Sequence, residues 1–344
     1  MATQSASLTP ALFKRLHPRP YLDKFLQDSI RPDGRPLVPL SDSNADPHEH
    51  WRDATANVGS ISTSPSSALV RLGHTTIVCG VSLEVAPPDL ARPDQGFLVP
   101  NVDLGPLCSP SFRPGPPSDE AQVLSSRLHD ILISSNVVPL ESLVIEPGKA
   151  AFVVYLDLVC LNYDGGALDA AVLAAVQALK HLTLPKATYN LDTGETICQA
   201  VTTPPSRSPA AGSSKASRIQ LGAEPCAVSF GVFNGHLLPD PTLFESTLCT
   251  TQITIVVDSL SLSSSSSSSH RRQRQEESTG RGRRGASNRE EAAGKLLRVY
   301  QAGAPLVVGE DRGGGGGGGG GNEEVLRRCI ALARARADEL HKLG

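Results

Sequence analysis

Three carboxylates bracket a glycine pair. Asp157, Asp164 and Asp169 stand around Gly165-Gly166, within the stretch from Ala150 to Pro185. An acid at a strand end, beside a helix N-terminus, can pass a proton as a general acid or hold a metal. It can equally cap the helix, and residue type and spacing leave these readings open. Arg31 and Arg35 flank Pro-Asp-Gly, a strong turn signal because proline presets φ and glycine accepts the unusual conformer. The two arginines could bind an anion or simply solvate a loop. Arg113 lies in the run Ser111-Phe112-Arg113-Pro114-Gly115-Pro116-Pro117, and Arg71 just precedes Leu72-Gly73-His74-Thr75. His74 is isolated and reads as a surface residue.

These groups need elements to hold them. Phe152 to Leu161 is dense in apolar and β-branched residues, which predicts a strand covered on both faces. Asp164-Gly165-Gly166 then breaks the pattern with a sharp turn. From Leu168 the apolar positions recur as Val172, Ala175, Val176 and Leu179, a helical spacing. Five alanines in this helix would let it lie close against a sheet, and Pro185 marks its end. Ser118 predicts the cap of another helix, with Asp119 and Glu120 at its positive end. Its buried stripe would be Ala121, Leu124, Leu128, Ile131 and Leu132.

Upstream, two short helical segments span Ser7 to His17 and Tyr21 to Gln27, and 41–50 reads as a polar surface loop. A first strand is expected over 55–62, a hairpin over Ala68 to Val85, and a long proline-rich loop over 86–117. Short strands around an Asp192-Thr193-Gly194 turn follow Ala187. A second folded unit starts near Pro225, with Cys226 to Phe233 and Ser246 to Asp258 as strands. Asn234-Gly235, a hairpin signal, and a Leu238-to-Phe244 loop join them. Residues 203–218 are low in complexity, 259–294 form a basic insert, and nine glycines run from Gly313 to Gly321. The basic insert could be an RNA-binding arm, an import signal or an unselected insertion. Leu296 to Val308 adds strand, and Glu323 to Leu343 a final helix with Asn322 as its cap.

Composition narrows the classes. The chain has 344 residues and a net charge of -3, so there is no global basic signal for nucleic acid. Its seven cysteines include no Cys-x-x-Cys pair, so no zinc site is expected. Several lie in apolar runs, which favours a reducing compartment. No apolar run is long enough to span a membrane, and no secretory signal is read at the N-terminus.

The ordered set RPDGR at 31–35, ALVRLGHTTIVCGV at 68–81, FRPGPPSDEA at 112–121, a strand ending in DGG at 164–166, and DPT at 240–242 resembles the RNase PH-like ring subunits of the eukaryotic RNA exosome. The resemblance covers about 10–200 and 223–344. It implies an α/β (α+β) fold: a ribosomal protein S5 domain 2-like core followed by a smaller RNase PH C-terminal α/β domain. The expected division is an N-terminal helical segment at 1–29, the first domain at 30–202, a linker at 203–222 and the second domain at 223–344, interrupted by inserts at 259–294 and 312–321.

What the resemblance implies about function follows from these matches. Such subunits pair as heterodimers within a six-membered ring, here with a partner of the ribosomal RNA-processing protein 46 type. S1 or KH cap subunits and a hydrolytic exoribonuclease subunit sit on the ring, RNA threads through it, and no membrane is involved. The expected locations are nucleus, nucleolus and cytoplasm. Phosphorolytic relatives carry an arginine and a hydroxyl before the helix that starts here at Ser118, to grip phosphate. This chain has Gly115-Pro116-Pro117 there, and proline offers no such donor. Their second carboxylate falls at Val159. The expectation is a non-catalytic subunit with no cofactor and no metal, in which Asp164 is a vestigial acid and Arg113 and Arg71 contact RNA phosphates. The alternative is an active phosphate-dependent 3′→5′ exoribonuclease using Asp164 as general acid.

Overall fold

The computed structural model describes residues 9–37, 50–191, 194–198, 217–259, 295–304 and 320–342. Two sheets share one continuous core around a central helix. The first sheet runs β1 (Ala54–Val58), β2 (Ser66–Leu72), β3 (Thr75–Ala86), β6 (Ala150–Asn162), β4 (Phe97–Asp103) in spatial order, with short β5 (Val144–Glu146) also on β6. All its pairings are antiparallel except β4 with β6. The second sheet, antiparallel throughout, has the order β12 (His236–Pro239), β11 (Pro225–Phe233), β13 (Thr251–Asp258), β14 (Leu296–Gly303). Two small ribbons pair β7 (Thr183–Leu184) with β10 (Ser217–Arg218), and β8 (Ala187–Tyr189) with β9 (Thr196–Cys198).

Helix α3 (Asp119–Ser134) starts where Ser118 Oγ accepts from the Ala121 N–H, and it buries the five apolar residues of its expected stripe. Helix α4 (Ala167–Lys180) packs on β2 and β3 on one side and on β11 on the other. Every residue from Ala167 to Leu179 is buried, as expected of a helix apolar all round. The alanines Ala170, Ala171, Ala174, Ala175 and Ala178 are fully inaccessible, so α4 can approach both sheets closely. The final helix, α6 (Gly320–His341), buries Val325, Cys329, Ala333, Ala337 and Leu340 against β11 and β13. At the N-terminus, α1 (Pro10–Leu16) leads to α2 (Pro18–Gln27), whose Leu22 and Leu26 pack on Phe233 and Leu238 of the second sheet.

Several local expectations change. The proline-rich stretch contains β4, whose alternating burial (Leu98, Pro100 and Val102 in; Val99, Asn101 and Asp103 out) seats it beside β6. β6 is not covered on both faces. Its first half is buried, but Asp157, Val159 and Leu161 look out from an open sheet face. The expected Leu238-to-Phe244 loop holds the end of β12 and the start of α5 (Leu243–Leu248), α5 also takes the start of the strand expected from Ser246, and the first strand stops at Val58. The end of the expected linker is folded: Ser217–Arg218 joins a ribbon and Ile219 is buried. Ser259 is buried too, and Gly320 and Gly321 lie in α6, so both inserts are shorter than 259–294 and 312–321. Asn322 falls inside α6 rather than at its cap. The 41–49 loop, the Asp192-Thr193 turn, 203–216, the basic residues 270–289 and Gly313 to Gly319 lie outside the described residues.

Candidate functional site

The Asp-Gly-Gly turn is where the two sheets meet. Gly165 and Gly166 take φ values of 77° and 64°, which places the start of α4 directly after β6. Thr75 Oγ1 donates to the Gly165 carbonyl at 2.7 Å and accepts from the Asp164 N–H at 3.1 Å. From the corner between β12 and α5, the Leu243 N–H donates to the Asp164 carbonyl at 3.2 Å and to its carboxylate at 3.4 Å. That N–H starts α5, which is held by a capping box between Thr242 and Glu245. Asp164 therefore meets a backbone donor at the start of α5.

A buried charge network surrounds this contact. Arg52, 7% exposed, forks onto Asp240: Nε reaches Oδ2 at 2.9 Å and Nη2 reaches Oδ1 at 2.5 Å. Its Nη1 donates to the Asp164 carbonyl at 2.8 Å, and the Arg52 carbonyl accepts from Arg336 of α6 at 2.6 Å. Burial alone would lower the Arg52 guanidinium, but the hydrogen bonds and charge of Asp240 raise it. Burial alone would raise the Asp240 carboxyl, but Arg52, with Arg35 behind it, holds it below the usual carboxylate range.

Arg31 and Arg35 neither solvate a loop nor offer an anion site. Arg31, 1% exposed, is bonded to Glu245 through two nitrogens and to the Pro239 carbonyl at 2.7 Å. Arg35 bonds Asp33 and the Asp240 carbonyl, the latter at 3.0 Å. The reason is the Pro-Asp-Gly turn, which aims both guanidinium groups at the β12–α5 corner. Arg52 is the residue that sequence reasoning missed. The nearby Thr242-x-x-Glu245 capping box was the available signal that 240–245 is a structured corner.

Asp169, in the first turn of α4, accepts from the Ser229 N–H and Oγ on β11, both at 2.8 Å. Burial first, and the neighbouring Asp240 second, push its carboxyl up to about 7, against the Ser229 hydrogen bonds and the charge of Arg52. The ordinary value is 3.8. Between those two values the folded chain holds a proton that the unfolded chain has released, so stability falls as pH rises through the window and levels off above it. From pH 5 to pH 8 this contribution amounts to at most about 3 kcal/mol. Asp169→Asn is expected to flatten the fall in the urea midpoint between those two pH values. Equal slopes in both proteins would rule out this titration.

The other expected residues lie elsewhere. Arg71 is exposed on the open face of the first sheet, its Nε bonded to the Gly73 carbonyl at 2.8 Å. Val159, 41% exposed, is on the same face. Arg113 is exposed in the loop before α3 and makes no hydrogen bond or ion pair with the described residues. Neither arginine bonds to Asp164. Between α3 and the second sheet runs a cleft of about 540 Å³, bordered by Gly165 and Gly166. At its α3 end, Ser118 already caps the helix, and the first turn carries Asp119 and Glu120. Tyr163 donates to Glu120 at 2.5 Å. All seven cysteines are free, and burial pushes Cys79, Cys160, Cys226 and Cys329 up to about 12, so they are inert thiols.

Two models of one family match the chain: 3′ exoribonuclease family, domain 1, over residues 50–185, and domain 2 over 223–264. The chain is 40% identical over 253 residues to the exosome complex component rrp43 of Schizosaccharomyces pombe, covering 74% of this chain and 85% of that protein. It is 36% identical over 210 residues to the exosome complex component Rrp42 of Thermococcus gammatolerans, covering 61% of this chain and 72% of that one. In fold it is similar to a chain of the Archaeoglobus fulgidus exosome with RNA bound to the active site: TM-score 0.64 at 23% identity, covering 94% of this chain and 96% of that one. An archaeal exosome core chain gives a TM-score of 0.61 at 22% identity, with the same coverage.

Proposed function

Because the chain belongs to the RNase PH family of 3′ exoribonucleases, we propose that it acts as a non-catalytic ring subunit of an RNA exosome, one that shapes the path of RNA toward a nuclease it does not itself supply. The observation that carries the non-catalytic part is the start of α3. Phosphorolysis needs phosphate held beside the scissile bond by cationic and N–H donors. Here Pro116 and Pro117 contribute no N–H, Ser118 Oγ is used on Ala121, and Asp119 and Glu120 put negative charge where phosphate would sit. Asp164 is engaged with the Leu243 N–H, which gives it a structural role at the domain junction.

The partners in this reading are other RNase PH-like chains, with a neighbour of the ribosomal RNA-processing protein 46 type, S1 or KH cap subunits, a hydrolytic exoribonuclease subunit and RNA. The locations are nucleus, nucleolus and cytoplasm. Native mass and subunit composition of the gently purified protein are expected to reveal a complex with other RNase PH-like chains. That complex should release no nucleoside diphosphates on account of this subunit. Phosphate-dependent release that disappears in Asp164→Asn would establish the enzymatic alternative instead.

Arg71 and Arg113 are proposed as sequence-independent phosphate contacts. Replacing both with alanine in the assembled complex should weaken single-stranded RNA binding. Each lost contact should reduce the slope of log affinity against log salt by about 0.7. An unchanged slope would remove both residues from the RNA path.

A further inference from the structure

The cleft between α3 and the second sheet is not explained by a scaffold role alone. Its volume of about 540 Å³ is that of a site for a ligand or a few residues of peptide, and clefts at domain junctions are common binding places. Its walls combine three features. Val123, 48% exposed, stands in the wall, beside the half-buried Leu243 and the buried Leu168. Two carboxylates, Asp119 and Glu120, stand at one end. The cation in the wall is Arg127, whose guanidinium lies 5.3 Å from the centre of the Tyr300 ring. Asp119 has no hydrogen bond or ion pair among the described residues, and Glu120 is held only by the neutral Tyr163 hydroxyl.

We propose that this cleft receives an extended segment of a neighbouring protein chain, with a lysine or arginine set against Asp119 and Glu120 and an adjacent apolar side chain covering Val123. The charge balance favours a basic polypeptide over RNA, because two carboxylates in the wall repel phosphate and the wall's cation already lies over an aromatic ring. An apolar side chain can cover the exposed Val123, which a phosphodiester backbone cannot. The inference rests on the reading of the chain as an assembly subunit without phosphorolytic activity.

The test uses the full chain within its purified complex. Val123→p-benzoylphenylalanine places a photo-crosslinker in the cleft wall. After irradiation, mass spectrometry is expected to find a partner peptide containing lysine or arginine joined at residue 123. The same crosslink should drop at least tenfold when Asp119→Asn and Glu120→Gln are added. Incorporation of that variant into the complex at normal stoichiometry reports that α3 still folds. A crosslink to RNA, no crosslink from an intact complex, or a yield indifferent to the two neutral substitutions would overturn the cleft assignment while leaving the ring reading in place. A chain that purifies without partners would overturn both.

Discussion

Arg52→Met is expected to destabilise the folded chain by about 3–5 kcal/mol, because it leaves the buried Asp240 carboxylate without its bidentate partner and with only Arg35, 3.7 Å away, as a nearby cation. The loss exceeds that of a surface ion pair for a physical reason. Asp240 is 6% exposed, and its depressed pKa reflects Arg52 more than any other partner. The Asp164 and Gly165 carbonyls would also lose their donors from Nη1 and Nη2. Urea denaturation of the wild type, Arg52→Met, Asp240→Leu and the double variant measures the coupling. The double variant should recover part of the loss, since an apolar pair replaces a broken ionic one. A cost for Arg52→Met below about 1 kcal/mol, the range of an exposed pair, would show that this network does not hold the Asp240 corner to the Asp164 turn.

Gly165→Ala should be of similar severity, about 4 kcal/mol, from strain and collision combined. At φ 77° any side chain is strained, and a Cβ there would stand 2.8 Å from the Leu243 nitrogen and the Pro241 carbonyl oxygen. Both are backbone atoms of the corner that carries α5, so neither can swing aside. Gly34→Ala separates the two effects. It has φ 88° but meets nothing within 4 Å, so only strain remains and the cost should be about 1–2 kcal/mol. Thermal melts of the two variants side by side give the measurement. Equal losses would mean that the turn is not packed against the 241–243 backbone.

Features with a short-range physical cause were legible in the sequence. The stripe on α3 is a 3.6-residue pattern opened by a capping serine, and all five expected residues are buried. Asn234-Gly235 encodes a two-residue hairpin, and both residues have positive φ, 45° and 81°. The Asp164-Gly165-Gly166 turn follows from glycine's access to that same region. Less legible were elements whose local signals conflict. β4 carries Pro100 inside a proline-rich stretch and survives as an edge strand, where a missing N–H is tolerated. α5 has only six residues, and its Ser and Thr weakened the helical pattern that the capping box should have restored.

The candidate site was half visible. Asp164 and Asp169 were singled out, but the spacing could not choose between acid, metal ligand and cap. The structure gives them distant partners: the Leu243 N–H at the start of α5 for Asp164, and Ser229 on β11 for Asp169. Arg31 and Arg35 were visible as a pair, and their turn was readable, but not the buried corner at which it aims them.

By itself the sequence determined the order of the longer helices and strands, most of the positions that must face a core, the family resemblance and the donor-poor Pro116-Pro117 pair just before α3. These depend on residue type, on periods of two and 3.6, and on the φ preferences of glycine and proline, all of which act within a few residues. Only the tertiary structure decided that Arg52 meets Asp240 across 188 positions and that α4 is buried against two sheets at once. It also decided that β6 keeps one face open. Those outcomes depend on which surfaces the chain brings together. A buried charge is tolerated only where a partner from a distant segment arrives to meet it, and no local pattern specifies that arrival.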